Sequence, residues 1–383
     1  MDLFFTREDR AFRDEVRAFL QSELSPELRR RVEEGRALSK DEVVGWQRIL
    51  NTRGWATPSW PKEWGGPGWT AVEKHIFLDE LHRAGAPEPL SFNVSMLGPV
   101  LIAFGSESQK SYFLPRAANL DDWWAQGFSE PGAGSDLAAL STTAVREGDH
   151  YIVNGQKIWQ GMAHRADWMF TLVRTDPQAP KKQMGISFLL IDLRSPGIEI
   201  RPIITIDGRH EVNEVFLDNV RVPIENRIGE ENKGWTYAKY LMSNERTGIA
   251  RTGITKRILQ RIRTEATSLP ASSRVIVLTE TARLEAELMA LEFTQLRVLA
   301  SMTEGVPDPR SSMLKIKGTE LRQDASELLL RTVGEDAREF TYEGEDEAPH
   351  DIASNFFTLR AASIYGGANE VQKNILAKTI LGQ

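Results

Sequence analysis

Tyr151-Ile152-Val153-Asn154-Gly155-Gln156-Lys157-Ile158-Trp159 sets two β-branched and aromatic runs on either side of an Asn-Gly pair. Asn-Gly between such runs is the strongest short-range hairpin signal, so the pair is expected to be a turn. Further strands are expected at 168–174, 186–193, 198–203 and 214–222, separated by turn residues and with no helical pattern between them. Many short strands in succession, over about 126–235, predict an antiparallel sandwich or barrel.

Helical periodicity flanks this block on both sides. Upstream, Phe5, Phe12, Val16 and Phe19 follow helical spacing, and Thr6 with Asp9 reads as a capping box. Helices are also expected at 43–53 and 71–84, with a Gly- and Pro-rich loop at 60–68 between them. Downstream, Leu284, Leu288, Leu291 and Val298 share one face, as do Leu314, Leu321, Ala325 and Leu328. Helices, a β block, then helices again does not fit an alternating βα pattern.

Composition narrows the chemistry. The chain has 383 residues and 41% hydrophobic content, enough to bury cores in two or three domains. Its formal charge of −7 argues against nucleic acid or an anionic membrane as principal partner. With no cysteine, disulfides, thiolate nucleophiles and cysteine-held metals are excluded. No signal peptide is visible, no apolar stretch approaches the roughly 18 residues of a membrane span, and a cytoplasmic location is expected. Metalloprotease, nucleophile-elbow, Walker and strand-linked GxGxxG motifs are missing, and no metal site is expected.

Two segments carry chemical promise. Gln126-Gly127-Phe128-Ser129-Glu130-Pro131-Gly132-Ala133-Gly134-Ser135-Asp136 has small residues that let a main chain approach a ligand, with N–H groups able to bind anionic oxygen. It reads equally as an ordinary turn. On the helix expected over 235–252, Ala238, Leu241, Met242 and Ile249 form an apolar face that also carries Glu245. With Leu241 and Ile249 as its i−4 and i+4 neighbours, Glu245 has no intrahelical cation. It is either paired with an arginine of another helix or placed for use as a base whose pKa burial raises.

Ser129–Asp136 resembles the signature of the acyl-CoA dehydrogenase family, which usually begins with Thr. Asn154-Gly155-Gln156-Lys157-Ile158-Trp159, Val220-Arg221-Val222-Pro223 with Gly229 and Gly234-Trp235, and Gly366-Gly367-Ala368-Asn369-Glu370-Val371-Gln372 resemble further family segments in the same order. The resemblance implies an N-terminal α-helical domain (1–125), a middle antiparallel β-barrel (126–235) and a C-terminal four-helix bundle (236–383), an α+β multidomain fold with FAD between barrel and bundle. It implies flavin contacts from Phe128 and Ser129, pyrophosphate or CoA contacts from Gly134 and Ser135, and Trp159 stacked on the flavin. Gly161, Ala368 and Glu370 fall at further cofactor positions, and Ser135 and Arg246 at substrate positions. Fatty-acid β-oxidation chemistry on an acyl-CoA is implied, with an electron-transferring flavoprotein as acceptor.

The base is expected at one of two family positions. That in the terminal segment is here Tyr365-Gly366-Gly367-Ala368 and holds no carboxylate; the other is Glu245-Arg246. Glu245 is therefore expected to take the α-proton, with the Gly366 N–H on the thioester carbonyl. Gly161 and Ala368 depart from the hydroxyl residues usual there. The Arg-x-x-Phe-Gly motif that grips a neighbour's cofactor is missing, and acidic Glu343-Gly344-Glu345-Asp346-Glu347 replaces a glycine loop within 333–348. A homodimer or tetramer, or a heteromer with a second dehydrogenase subunit, is expected. An FAD-linked hydroxylase or oxidase on the same fold, or a non-catalytic partner subunit, are the alternatives.

Overall fold

The computed structural model describes residues 5–245, 250–301, 310–337, 351–380 and 382. The first helices are α1 (Arg7–Glu23), α2 (Pro26–Glu34), α3 (Lys40–Thr52), α4 (Ala71–Ala84), α5 (Gly98–Phe104) and α6 (Glu107–Asn119), with a π-helical stretch at Phe92–Leu97 leading into α5. Local sequence fixes where they start. Thr6 with Asp9, Ser39 with Glu42, Thr70 with Glu73 and Ser106 with Gln109 each form a reciprocal capping box. Val16, Leu20, Trp46, Leu50, Phe77 and Leu81 form a core shared by α1, α3 and α4, whereas Val100, Leu101, Phe113 and Leu114 of α5 and α6 join the core that also holds Phe170 and Phe188.

The middle sheet has seven strands: β1 (Trp124–Gly127), β2 (Thr143–Glu147), β3 (His150–Gly161), β4 (Trp168–Arg174), β5 (Ile186–Asp192), β6 (Ile198–Ile204) and β7 (His210–Pro223). It corrects two expectations. The sheet is not a closed antiparallel barrel but a curled half-barrel with β5 and β6 at its edges, and β1 runs parallel to β4. Closure is unnecessary because both edges are managed. Pro202, Glu199 and Arg201 blunt β6. β5 is buried along nearly its whole length, and the helix α7 (Gly234–Glu245) packs against it.

The second correction concerns Asn154-Gly155, where β3 runs straight on instead of turning. The reversal falls on Gly148-Asp149, between the paired residues Glu147 and His150. At Asn154-Gly155 the ladder with β7 shifts register. The Asn154 side chain accepts from the Asn219 N–H at 2.8 Å, and a Cβ on Gly155 would stand 2.4 Å from Thr142 Oγ1. The pair serves as a bulge pressed against a neighbouring loop.

The last domain holds α8 (Thr252–Glu265), α9 (Ala271–Ser301), α10 (Ser311–Val333), α11 (Ile352–Thr358) and α12 (Asn369–Ile380). α8, α9 and α12 pack on α10, and the faces expected from periodicity are buried in this core. Gly318 lets α8 and α10 close, since a Cβ there would stand 2.6 Å from Ala250 Cα. None of the described helices is long and apolar enough to cross a membrane.

A polar knot joins all three parts. Arg209, in the β6–β7 connection, donates to Gly35 O at 2.7 Å, Asn355 Oδ1 at 3.1 Å and Ser354 Oγ at 3.1 Å. Asp207 accepts from Thr358 Oγ1 at 2.5 Å and from Thr205 Oγ1 at 2.5 Å. Arg209→Met removes the bridging donors and leaves buried acceptors behind, at a cost of about 3 kcal/mol. Urea unfolding should show a lower midpoint and a broadened or split transition; an unchanged single transition would contradict the knot's role in coupling the domains.

Candidate functional site

The loop between β1 and β2 is shaped by one buried ion pair. Lys157, from β3, donates from Nζ to Glu130 Oε1 at 2.8 Å and to Leu172 O at 2.7 Å, with Phe128 O at 3.4 Å. The Glu130 carboxylate also accepts from Ser141 N at 2.6 Å, Ser141 Oγ at 2.8 Å and Thr142 N at 3.0 Å. The Lys157 and Glu130 side chains are 0% and 3% exposed. Burial alone would raise Glu130; the Lys157 ammonium and these hydrogen bonds outweigh it and hold the carboxyl down at about 2. Burial pushes Lys157 down to about 8 against the pull of Glu130.

The same strand pins the loop a second time. Ile158 N and Gln160 Nε2 both donate to Ser129 O, at 3.0 and 3.2 Å. Strand alternation would send Lys157 and Trp159 to the same side. A register shift between Lys157 and Gln160, with Trp159 at φ +66°, turns the indole outward instead. Trp159 is 57% exposed. A bulky aromatic in the left-handed region costs about 1–2 kcal/mol, so the outward pose is held by its surroundings.

Phe128 packs its ring edge-on against Phe170 and Phe188 in the core, so any ligand contact it makes is through its main chain. Gly134 and Ser135 lie on the exposed outer side of the loop, and their N–H groups donate to no acceptor among the described residues. Gly161 lies against Phe92: a Cβ there would stand 2.7 Å from the ring's Cζ. A larger residue there would require the phenyl ring at the start of the π-helical stretch to shift. Beside it, His164 and His210 stack at 4.0 Å, and burial with the neighbouring His210 and Arg165 holds His164 down at about 4.

The terminal segment is anchored separately. Gly366 and Gly367 have φ of +64° and +85°, a pair of left-handed residues that favours glycine. Their N–H groups have no acceptor among the described residues. Asn369 fixes the start of α12, accepting from Lys315 Nζ at 2.8 Å, and Gln372 accepts from Ser312 Oγ at 2.8 Å. Ala368 is half-buried and Glu370 exposed. No hydrogen bond among the described residues joins this segment to the Phe128–Trp159 group. Glu245 is the last residue of α7, one turn beyond Leu241, which is buried in the core; its side chain and Arg246 lie outside the described residues.

Residues 6–121, 125–220 and 232–381 match, in order, the acyl-CoA dehydrogenase N-terminal, middle and C-terminal domains. The chain belongs to the acyl-CoA dehydrogenase family. It is 35% identical to acyl-CoA dehydrogenase FadE29 of Mycobacterium tuberculosis, over 98% of this chain and 97% of that protein. To acyl-CoA dehydrogenase IpdE1 of the same organism it is 34% identical, over 89% of this chain and 88% of that protein. Among solved structures, the Tcur3481-Tcur3483 steroid ACAD superposes with a TM-score of 0.87 at 30% identity, covering 100% of this chain and 99% of that one. The ChsE4-ChsE5 complex from Mycobacterium tuberculosis gives 0.86 at 32%, with the same coverage. The protein is an oxidoreductase of this family, and no described helix spans a membrane. The stretches 121–124 and 210–216 resemble the large subunit of pimeloyl-CoA dehydrogenase; these relatives are named otherwise, so that likeness gives the family and no acyl chain.

The Lys157–Glu130 pair is absent from the expected site residues, although both members lie inside motifs that carry the family resemblance. A lysine inside a strand, with a glutamate in a glycine-rich loop, was the available signal. Lys157→Met should cost about 3–5 kcal/mol by leaving Glu130 buried without its cation, and the double change with Glu130→Gln should cost less. A depressed carboxyl stabilises fully above its unfolded value of about 4.3 and loses that contribution as pH falls toward its folded value. Acid unfolding of Lys157→Met should therefore begin at higher pH than in the parent protein. Equal acid midpoints would show that the pair does not hold the loop.

Proposed function

We propose that this chain binds FAD against the Phe128–Trp159 group and converts an acyl-CoA to its trans-2-enoyl-CoA. The observation that supports it most is Trp159, turned out of its strand by a bulge and a positive φ into solvent beside a loop with unused N–H donors. Such a surface suits a planar ring with a phosphate tail: the indole covers a ring face, and the Gly134 and Ser135 N–H groups meet anionic oxygen. FAD, when bound, supplies the acceptor for the β-hydrogen as hydride.

The chain's own part is the α-proton. The Gly366 N–H, unused among the described residues, donates to the thioester carbonyl and makes the α-proton more acidic. Glu245 removes it, since the terminal segment at Tyr365–Ala368 carries no carboxylate. Glu245→Gln keeps the shape and removes the base, so turnover should fall at least ~10²-fold. Anaerobic titration with a panel of acyl-CoA thioesters reads this as loss of flavin bleaching. Near-normal bleaching by the variant would refute Glu245 as base, and an enzyme that needs oxygen before any thioester oxidation would point to a hydroxylase or oxidase on the same fold.

The reduced cofactor is reoxidised by an electron-transferring flavoprotein in this proposal. The working form is an assembly with a second, related subunit, because the chain lacks the Arg-x-x-Phe-Gly grip for a neighbour's pyrophosphate. The steroid ACAD and ChsE4-ChsE5 structures, each named for two chains, support that reading. Purified alone, the protein should dimerise yet carry clearly less than one FAD per chain. A homo-oligomer with one tightly bound FAD per chain and full activity would remove the need for a partner.

A further inference from the structure

β3 and β7 pair at Lys157 with Val215 and again at Gln160 with Asn213, so Ile158 and Trp159 together stand opposite Glu214 alone. This is the bulge that turns the indole outward. Two buried amide side chains bracket it. Gln160, 2% exposed, donates from Nε2 to Ile158 O at 2.7 Å and to Ser129 O at 3.2 Å. Asn213, 0% exposed, donates from Nδ2 to Gln160 O at 2.9 Å. The carbonyls on either side of Trp159 are thus both held by side chains.

The Asn213 amide is itself fixed. A carbonyl can only accept, so Nδ2 faces Gln160 O and Oδ1 points away from it. His210 Nε2 lies 2.7 Å from Oδ1 and must therefore carry a proton and donate. His164 Nδ1 lies 3.2 Å from Nδ2 and must be the bare, accepting nitrogen. Burial, with His210 and Arg165 beside it, keeps that ring neutral, and the two imidazoles stack at 4.0 Å. Turning the amide over would break all three bonds and leave buried groups unpaired. A bulge needs no such set merely to exist. The register shift at Asn154-Gly155 in the same ladder is held near the surface by Asn154 and Asn219.

We propose that Asn213, oriented by His210 and His164, is a positioning residue for the cofactor surface. It fixes the peptide that follows Trp159 and so keeps the indole in the outward pose that a flavin ring can cover. The inference rests on the FAD reading for what covers the indole, and on this chain's own hydrogen bonds for the pose.

The test labels the chain with 5-fluorotryptophan and follows Trp159 by fluorine NMR, its resonance assigned by loss in Trp159→Phe. The chain is assembled with its partner subunit where one is needed, and spectra are taken without and with FAD. In Asn213→Leu the Trp159 resonance should move or broaden, while those of the core residues Trp60 and Trp124 stay in place. FAD should bind about 3- to 10-fold more weakly, the size of one aromatic contact. In a Trp159→Ala background the same substitution should change FAD affinity by less than about twofold, because Asn213 acts through the indole. His210→Leu should shift the resonance in the same sense. His210→Gln can still donate to Oδ1 and should restore it, and this pair decides the matter if Asn213→Leu does not fold. An unmoved Trp159 resonance, or equal weakening of FAD with and without the indole, overturns the proposal and makes Asn213 a residue of the fold alone. The two readings fail separately. If FAD shifts the Trp159 resonance of the parent but Asn213→Leu alters neither resonance nor affinity, the flavin surface stands and the positioning falls. If Asn213→Leu moves the resonance and FAD never perturbs it, the positioning of the indole stands and the flavin reading falls.

Discussion

The loop between β1 and β2 and its contacts with β3 hang from the Lys157–Glu130 pair. A glycine-rich loop would ordinarily be mobile, because its residues lose the most conformational freedom on ordering. Here an acidic residue of the loop, Glu130, is drawn beneath it and saturated by a lysine, a hydroxyl and two main-chain N–H groups. The ion pair is not an economical source of stability, since desolvating both partners offsets much of their attraction. Its effect is positional: it fixes Phe128 and Ser129 against β3 and leaves the outer N–H groups of Gly134 and Ser135 toward solvent.

The strand that provides Lys157 also provides the two irregularities that make a surface out of a sheet. At Asn154-Gly155 the ladder slips to accommodate Thr142, and at Ile158-Trp159 it slips again and turns the indole out. Phe92, from the first domain, then occupies the space beside Gly161. Thr142, the Ser129 carbonyl and Phe92 thus converge on the Asn154–Gly161 half of β3. The Asp207–Arg209 knot holds the domains that carry them in one relative position.

Strand and helix positions were legible because burial enforces period. The strand expected at 168–174 and the helix expected at 71–84 coincide with β4 and α4, and the paired leucine faces of α9 and α10 are core. What failed was local turn chemistry overridden by tertiary packing. Asn-Gly is a strong turn signal, yet Gly155 is needed where Thr142 leaves no room for a Cβ, and Gly148-Asp149 makes the turn instead. Closure of the sheet was not legible either, since whether an edge pairs or is covered by a helix depends on where α7 lands. At the site, glycines and Trp159 announced themselves by type. Lys157, Arg209 and Arg322 did not, because a single basic residue among polar neighbours looks the same in the sequence whether it ends up buried, bridging or exposed.

The costs in this fold are not spread evenly. Trp159 sits in a backbone region that disfavours aromatics, Gly366 and Gly367 hold left-handed conformations with unused donors among the described residues, and the buried Arg322 Nε has no hydrogen-bond partner. Other positions carry costs too: Leu120 and Met162 hold positive φ, and Thr142 Oγ1 and Thr255 Oγ1 are buried without a hydrogen-bond partner. Sequences that are locally consistent everywhere but at a few points tend to have function at those points. Trp159 and Gly366 stand apart from these other positions: the indole is 57% exposed and the Gly366 N–H has no acceptor among the described residues. A folding requirement alone gives no reason for leaving an aromatic ring and a main-chain donor unpacked at such a backbone cost.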